Sequence, residues 1–356
     1  MPVLFGHQFS QPDLAKRMGQ PLQVAGVRLM DLSEGLERGV RIADVRTGSG
    51  LRFQVSLDRG MDLSLAEYKG MPLAWRSAQG DVHPSFYDPH GSGWARSFPG
   101  GLMTGCGITH AGRPCVDEGE ELGMHGRLSN IPATNVSHAT EWKGDRCFFR
   151  IKGEMRETSL FKDQLLLQRV IETELGVSTI TFHDTVLNEG IKRSPLMMLY
   201  HINTGWPLVD EGTALLLNAN LTKPRDAAAE KGIDTARKMT GPIPDYQEQV
   251  FFHDLEPDAA GNANVLLANR KLHTGLFVRF RMRELPRFVQ WKMMGEGTYV
   301  LGLEPANCWT QGRVKERKRG TLQFLDPGER REFFLQIGIL EGRDSLDQFI
   351  QQHQLT

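Results

Sequence analysis

The sequence predicts an all-β protein: a large antiparallel β-sandwich with a few peripheral helices. Three observations predict it. Short apolar or alternating runs recur along the 356 residues. Gly, Pro, Asn and Asp separate these runs, with few helical segments between them. Some runs alternate apolar with polar, as half-solvated sheets do, while others are apolar on both faces and must be covered on each side.

In chain order the strands fall at 39–47, 51–57, 146–153, 164–174, 178–187, 195–203, 213–221, 247–254, 274–283, 287–293, 298–304 and 331–340. In the 178–187 run, Ile180 and Phe182 share one face, the period-2 signature of a strand. The 195–200 run is apolar throughout and reads as buried on both sides. Helices are expected only at about 11–18, 31–38, 224–231 and 344–354. The segment 76–125 is Gly-rich and strand-poor, and a loop of that length inside a compact domain usually carries function. No internal repeat, low-complexity tract or Pro/Ser-rich linker divides the chain. A single domain over 1–356 is therefore expected, with 1–38 as an N-terminal extension and 344–356 as a C-terminal helix.

Composition narrows the function classes. Apolar residues make up 40%, charged residues 24%, and net charge is -1, so no basic face points to nucleic acid or an anionic membrane. The start, Met1-Pro-Val-Leu-Phe5, lacks a signal peptide's basic and long apolar regions, and no apolar run would span a bilayer. Cys106, Cys115, Cys147 and Cys308 form no C-x-x-C pair, so reduced thiols in the cytoplasm are expected. His90, His110, His125, His201, Glu118 and Glu304 are of metal-ligand type but follow no tight ligand spacing. Phosphate-loop, dinucleotide and nucleophile-elbow motifs are missing. No metal and no cofactor are expected.

Two apolar runs end on a titratable side chain. Pro195–Tyr200 leads to His201, and Tyr299–Leu303 leads to Glu304. An unpaired charge buried in such a run is costly, so both side chains are expected to open into one polar cavity, where a His and a Glu supply an acid and a base. Asn203 shares the His201 face and Trp206 follows closely, which favours a cavity over a satisfied core histidine. Gly302 leaves room beside Glu304. In Gly123-Met-His-Gly-Arg127, an extended chain would point His125 and Arg127 to one side as sugar-binding donors; a surface loop would instead pair Arg127 with Glu118, Glu120 or Glu121. Both readings stay open. Arg96 beside Trp94, Arg59 in Asp58-Arg-Gly-Met-Asp62, and Trp291 complete the candidates.

These segments, in this order and spacing, resemble the galactose mutarotase-like (aldose 1-epimerase) superfamily from about residue 40 to about 340. Gly123-Met-His-Gly126 is similar to the family's L-H-G-G segment, Tyr200-His-Ile-Asn203 to its N-H-x-x-x-N segment, and Leu303-Glu-Pro-Ala-Asn307 to its L-E-x-Q segment. The resemblance implies a β-supersandwich with a sugar cleft, His201 as general acid, Glu304 as general base and His125 as a sugar-orienting group. Arg96 or Arg127 would take the place of the family's substrate-binding Arg. The family's substrate-binding Asp has no counterpart, because the nearest segment, 271–277, offers none. The implied activity is anomer interconversion of a free sugar. A sugar or sugar-acid isomerase, C-epimerase or lyase using the same pair, and a non-catalytic sugar-binding module, are the alternatives. The expected partner is a small sugar, with neither nucleic acid nor membrane, and the chain could act alone or as a homodimer.

Overall fold

The computed structural model describes residues 1–356. Two large antiparallel sheets face one another. The larger runs, edge to edge, through Gly26–Asp31, Arg41–Arg46, Leu51–Ser56, Asp62–Tyr68, Met103–Cys106, Leu199–Gly205, Thr298–Ala306, Arg287–Gly295, Gln249–Leu255 and Ala219–Pro224. The smaller runs through Thr134–Lys143, Arg146–Thr158, Gln164–Glu174, Thr179–Asn188, Arg330–Glu341, Thr274–Arg281, Asn262–Asn269 and Ala214–Leu217. One apolar cluster, from Phe53 and Val55 through Ile171 and Phe182 to Leu335, joins their inner faces into a shared core.

The burial patterns follow from the side-chain alternation. Arg146–Thr158 buries every second residue, because one of its faces looks outward. Leu199–Gly205 is buried at every position. Its Tyr200 and Ile202 enter the inter-sheet core, while the other face lies under the 76–125 loops. That second face carries His201.

A buried ionic strut lies directly behind His201. Arg169, fully buried, forks onto Asp184 at 2.7 to 3.1 Å. Asp184 also accepts the Tyr200 hydroxyl at 2.7 Å. Arg169 donates to Gly60 O at 2.7 Å and lies 3.6 Å from Asp62. Asp62 accepts the Gly105 amide at 2.8 Å, and Gly105 pairs with Tyr200 in the neighbouring strand. The cluster therefore grips both strands beneath the site. Burial raises the Asp62 carboxyl to about 7 against the pull of Arg169 and the Gly105 amide.

Several sequence expectations are corrected here. No helix covers 31–38; Gly26–Asp31 is an edge strand and only the short turn Gly35–Glu37 follows, with Gly35 at φ +58°. The 224–231 helix shrinks to one turn, Ala227–Glu230, capped by Asp226. The 11–18 helix is Gln11–Ala15, closed by a Ser10–Asp13 capping box. The charged helix Arg313–Arg319 went unpredicted because it has no apolar period. Within the strand-poor 76–125 segment, Met103–Cys106 is an interior strand of the larger sheet, its signal masked by flanking glycines. The C-terminal helix spans Arg343–His353. No helix is long and apolar enough to cross a membrane.

Candidate active site

The strands Leu199–Gly205 and Thr298–Ala306 are neighbours, paired at Ile202↔Leu303 and Asn203↔Gly302. That register sets His201 directly across from Glu304 on one face. His201 Nε2 lies 3.4 Å from Glu304 Oε1, with the residues 5% and 2% exposed. The pair is thus adjacent, and does not face across a hollow. Both side chains line a cavity of about 280 Å³, at the lower end of the roughly 300–1,000 Å³ typical of ligand pockets.

Three aromatic rings wall the cavity. Trp94 stacks on Phe98 at 4.3 Å and lies 4.7 Å from His125. Phe98 and Trp291 lie 5.4 and 5.5 Å from His201, and His125 lies 5.6 Å from it. This surround strips water from the imidazoles. Burial lowers His201 to about 3, with His125 acting in the same direction and Asn203 opposing. Burial likewise lowers His125 to about 4. Glu304 is pushed up to about 8, chiefly by burial, which Arg225 opposes and Glu248 reinforces. Near neutral pH the His201–Glu304 pair consequently holds one proton between its two members.

Joined to the aromatic wall through Trp291 is a polar rail that sequence reading missed. Arg225 donates to Asp226 at 2.7 Å and to Glu248 at 2.7 Å, and Trp291 Nε1 donates to the other Glu248 oxygen at 3.0 Å. Arg225, Glu248, Arg113 and Thr310 all border the cavity. Glu248 escapes the rule that found His201 and Glu304, because Gln249 separates it from the apolar run Val250-Phe-Phe252. Arg225 follows Pro224 in a segment expected to be helical and carried no signal. The segment 271–277, which offers no carboxylate, leads into Thr274–Arg281 of the other sheet and does not border the cavity.

Of the sequence candidates, His201, Glu304, His125 and Trp291 come together in the cavity. The others do not border it. The 123–127 segment is a turn with His125 at φ +58°, so the two-residue period fails and Arg127 lines a separate cavity of about 110 Å³ with Tyr87, His110 and Glu157. Arg127 does not pair with the nearby acids either; Glu118 pairs with Arg317, and Glu120 with Arg313 and Lys162. Arg96 is exposed, and its neighbours Trp94 and Ala95 line the cavity in its stead. Arg59 is buried at 1% exposure and donates to Val82 O at 2.7 Å. Trp206 is 66% exposed. Asn203 is fully buried and donates to backbone carbonyls. No group of three or more His, Cys, Asp or Glu side chains gathers to hold a metal.

Comparison with known proteins agrees with this architecture. A Klebsiella pneumoniae protein described as a "putative aldose 1-epimerase" is 26% identical over 92% of this chain and 86% of its own, with a TM-score of 0.88. A galactose mutarotase-like protein of Clostridium acetobutylicum shares the fold at 13% identity over 90% of this chain and 99% of its own, with a TM-score of 0.62. The galactose 1-epimerase of Lactobacillus acidophilus shares it at 12% identity over 90% and 100%, with a TM-score of 0.58. No curated protein matches. Residues 37–339 match the family model described as a domain of unknown function, DUF4432. The chain therefore belongs to the DUF4432 family, on a galactose mutarotase-like fold.

Proposed function

We propose that the protein is a mutarotase, interconverting the anomers of a free aldose by general acid–base catalysis. One observation carries this reading: His201 Nε2 and Glu304 Oε1 stand 3.4 Å apart in a cavity of about 280 Å³. Anomer exchange moves one proton off the C1 hydroxyl and another onto the ring oxygen. Both oxygens are bonded to the same carbon, so an adjacent acid and base suit the reaction better than groups facing across a hollow.

Proton counting closes the cycle. The reactive form is the one in which the shared proton has passed from Glu304 to His201: the ionised Glu304 takes the O1 proton while the protonated His201 gives one to the ring oxygen, and the C1–O5 bond breaks. The pair is now neutral. After rotation about C1–C2, the ring oxygen attacks the other face of the carbonyl. Its proton returns to His201 as Glu304 reprotonates O1, which restores the starting charges. Arg225 favours the ionised Glu304 that ring opening requires. The aromatic wall suits the apolar face of a pyranose, and the Arg225–Glu248 rail offers a donor and an acceptor to its hydroxyls.

Each partner is expected to contribute ~10²–10⁴-fold. His201→Ala and Glu304→Ala should lose most of the anomer exchange seen in a panel of free aldoses, with unchanged circular dichroism. Near-normal exchange in both variants would refute the assignment. Proton NMR in deuterated water separates the rival chemistry, because a carbon-proton transfer exchanges a carbon-bound hydrogen and mutarotation leaves every one in place.

A further inference from the structure

Asn203 does not border the cavity, yet it is one of the most constrained side chains beneath it. Its Nδ2 donates to three carbonyls: His201 O at 2.9 Å, Gly101 O at 3.1 Å and Gly100 O at 3.4 Å. Those contacts fix the orientation of the amide. A flipped Asn203 would press its oxygen against three carbonyl oxygens and leave its NH2 group without them. Oδ1 must therefore point the other way, and it has no formed hydrogen bond.

His201 shows the matching vacancy. It lies two residues earlier on the same strand face, its Nε2 is turned to Glu304, and its buried Nδ1 has no formed hydrogen bond. A buried polar atom without a partner is costly, and catalytic hydrogen bonds that are long in a free enzyme often tighten when substrate binds. The Asn203 side chain also favours the protonated imidazole.

We propose that Asn203 is a positioning residue that sets the tautomer of His201: its fixed Oδ1 accepts a hydrogen bond from Nδ1–H and keeps the proton there, which leaves Nε2 as the only ring atom that exchanges protons with Glu304 and the substrate. The role parallels that of any group that holds a catalytic imidazole by its far nitrogen. Asn203 does this as a neutral acceptor, so it selects the tautomer without adding a charge to the closed site. The kinetic consequence rests on the mutarotase reading; the tautomer does not.

The test is long-range proton–nitrogen NMR of the protein labelled with ¹⁵N-histidine, with the His201 signals identified by their loss in His201→Gln. At neutral pH the wild-type protein should show Nδ1 protonated and Nε2 bare. Asn203→Ala should populate the Nε2-protonated form, and should lower kcat by ~10²-fold with KM little changed. An Nε2-protonated His201 in the wild-type protein overturns the proposal, whether or not Asn203→Ala folds. A folded Asn203→Ala that keeps both the Nδ1 proton and wild-type kcat overturns it as well. If no aldose is turned over while His201 still carries its proton on Nδ1, the mutarotase reading fails and the positioning role stands.

Discussion

A single methyl group at Gly302 should separate catalysis from folding. Gly302 lies between the two proposed catalytic side chains, opposite Asn203 on one neighbouring strand and Trp291 on the other. A Cβ built there would sit 2.9 Å from Trp291 Cβ, 3.0 Å from Glu304 Oε1 and 3.3 Å from His201 Cε1. Carbon contacts are normally at ~3.5–4.0 Å, so something must move by about half an ångström or more. The Trp291 Cβ is tied to the strand backbone, and the carboxylate and the imidazole are the groups free to yield. Overpacking of this kind costs ~1–3 kcal/mol, which a sandwich with one extended core should survive. A displacement near 1 Å at reacting groups costs ~10²-fold in rate. Gly302→Ala moves them by about half that distance, and is therefore expected to remain folded, with a modest fall in melting temperature, and to lose about one order of magnitude in anomer exchange. Gly241→Ala is the control, because a Cβ there meets nothing within 4 Å. The assay is polarimetry on freshly dissolved single anomers, alongside thermal melts of each variant. A folded Gly302→Ala with wild-type exchange would show that the space between His201 and Glu304 is not where the chemistry happens.

Three further outcomes are expected. The folded state holds the Glu304 proton up to about 8, against an ordinary 4.5, so its stabilising contribution is complete below about 4.5 and is lost as pH rises through about 8. His201 has the opposite sign, held down to about 3 from 6.5, so its slope ends near 6.5; Asp62, raised to about 7, still titrates as pH passes 7 and adds the same downward slope to the wild-type protein and the variant. Between pH 7 and 8 the melting temperature should fall in the wild-type protein and fall less in Glu304→Gln; equal slopes would contradict the placement of that proton. Arg225→Met removes the guanidinium that holds Glu248 and Asp226, and should raise KM for the turned-over aldose more than it lowers kcat, as steady-state kinetics would read. Asp184→Ala leaves Arg169 buried without its partner and should destabilise the protein by ~3–5 kcal/mol in denaturant unfolding.

How much of this was legible in the sequence depends on where each residue sits. His201 and Glu304 could be read because strands impose a period of two: a charge ending an apolar run must be accommodated somewhere, and here both are accommodated on one face. The sandwich was legible for the same reason, from alternating runs such as Thr179–Asn188. Adjacency of the pair was not, because strand order comes from tertiary pairing, and Leu199–Gly205 finds Thr298–Ala306 across about a hundred residues of chain. The arginines fail for a different reason. Arg59, Arg96 and Arg127 lie in turns and loops, where no period relates neighbouring side chains, and the left-handed His125 reverses the chain just before Arg127. The rail of Arg225 and Glu248 is assembled from the ends of two paired strands, a juxtaposition that only the fold creates.

The most direct measurement is anomer exchange itself. Magnetisation-transfer NMR on a panel of free aldoses in deuterated water, with and without the protein, should show accelerated exchange between α and β signals of at least one sugar. Every carbon-bound proton should be retained, and the acceleration should vanish in Glu304→Ala. Exchange at the background rate for every sugar, or deuterium entering a carbon position, would contradict the account.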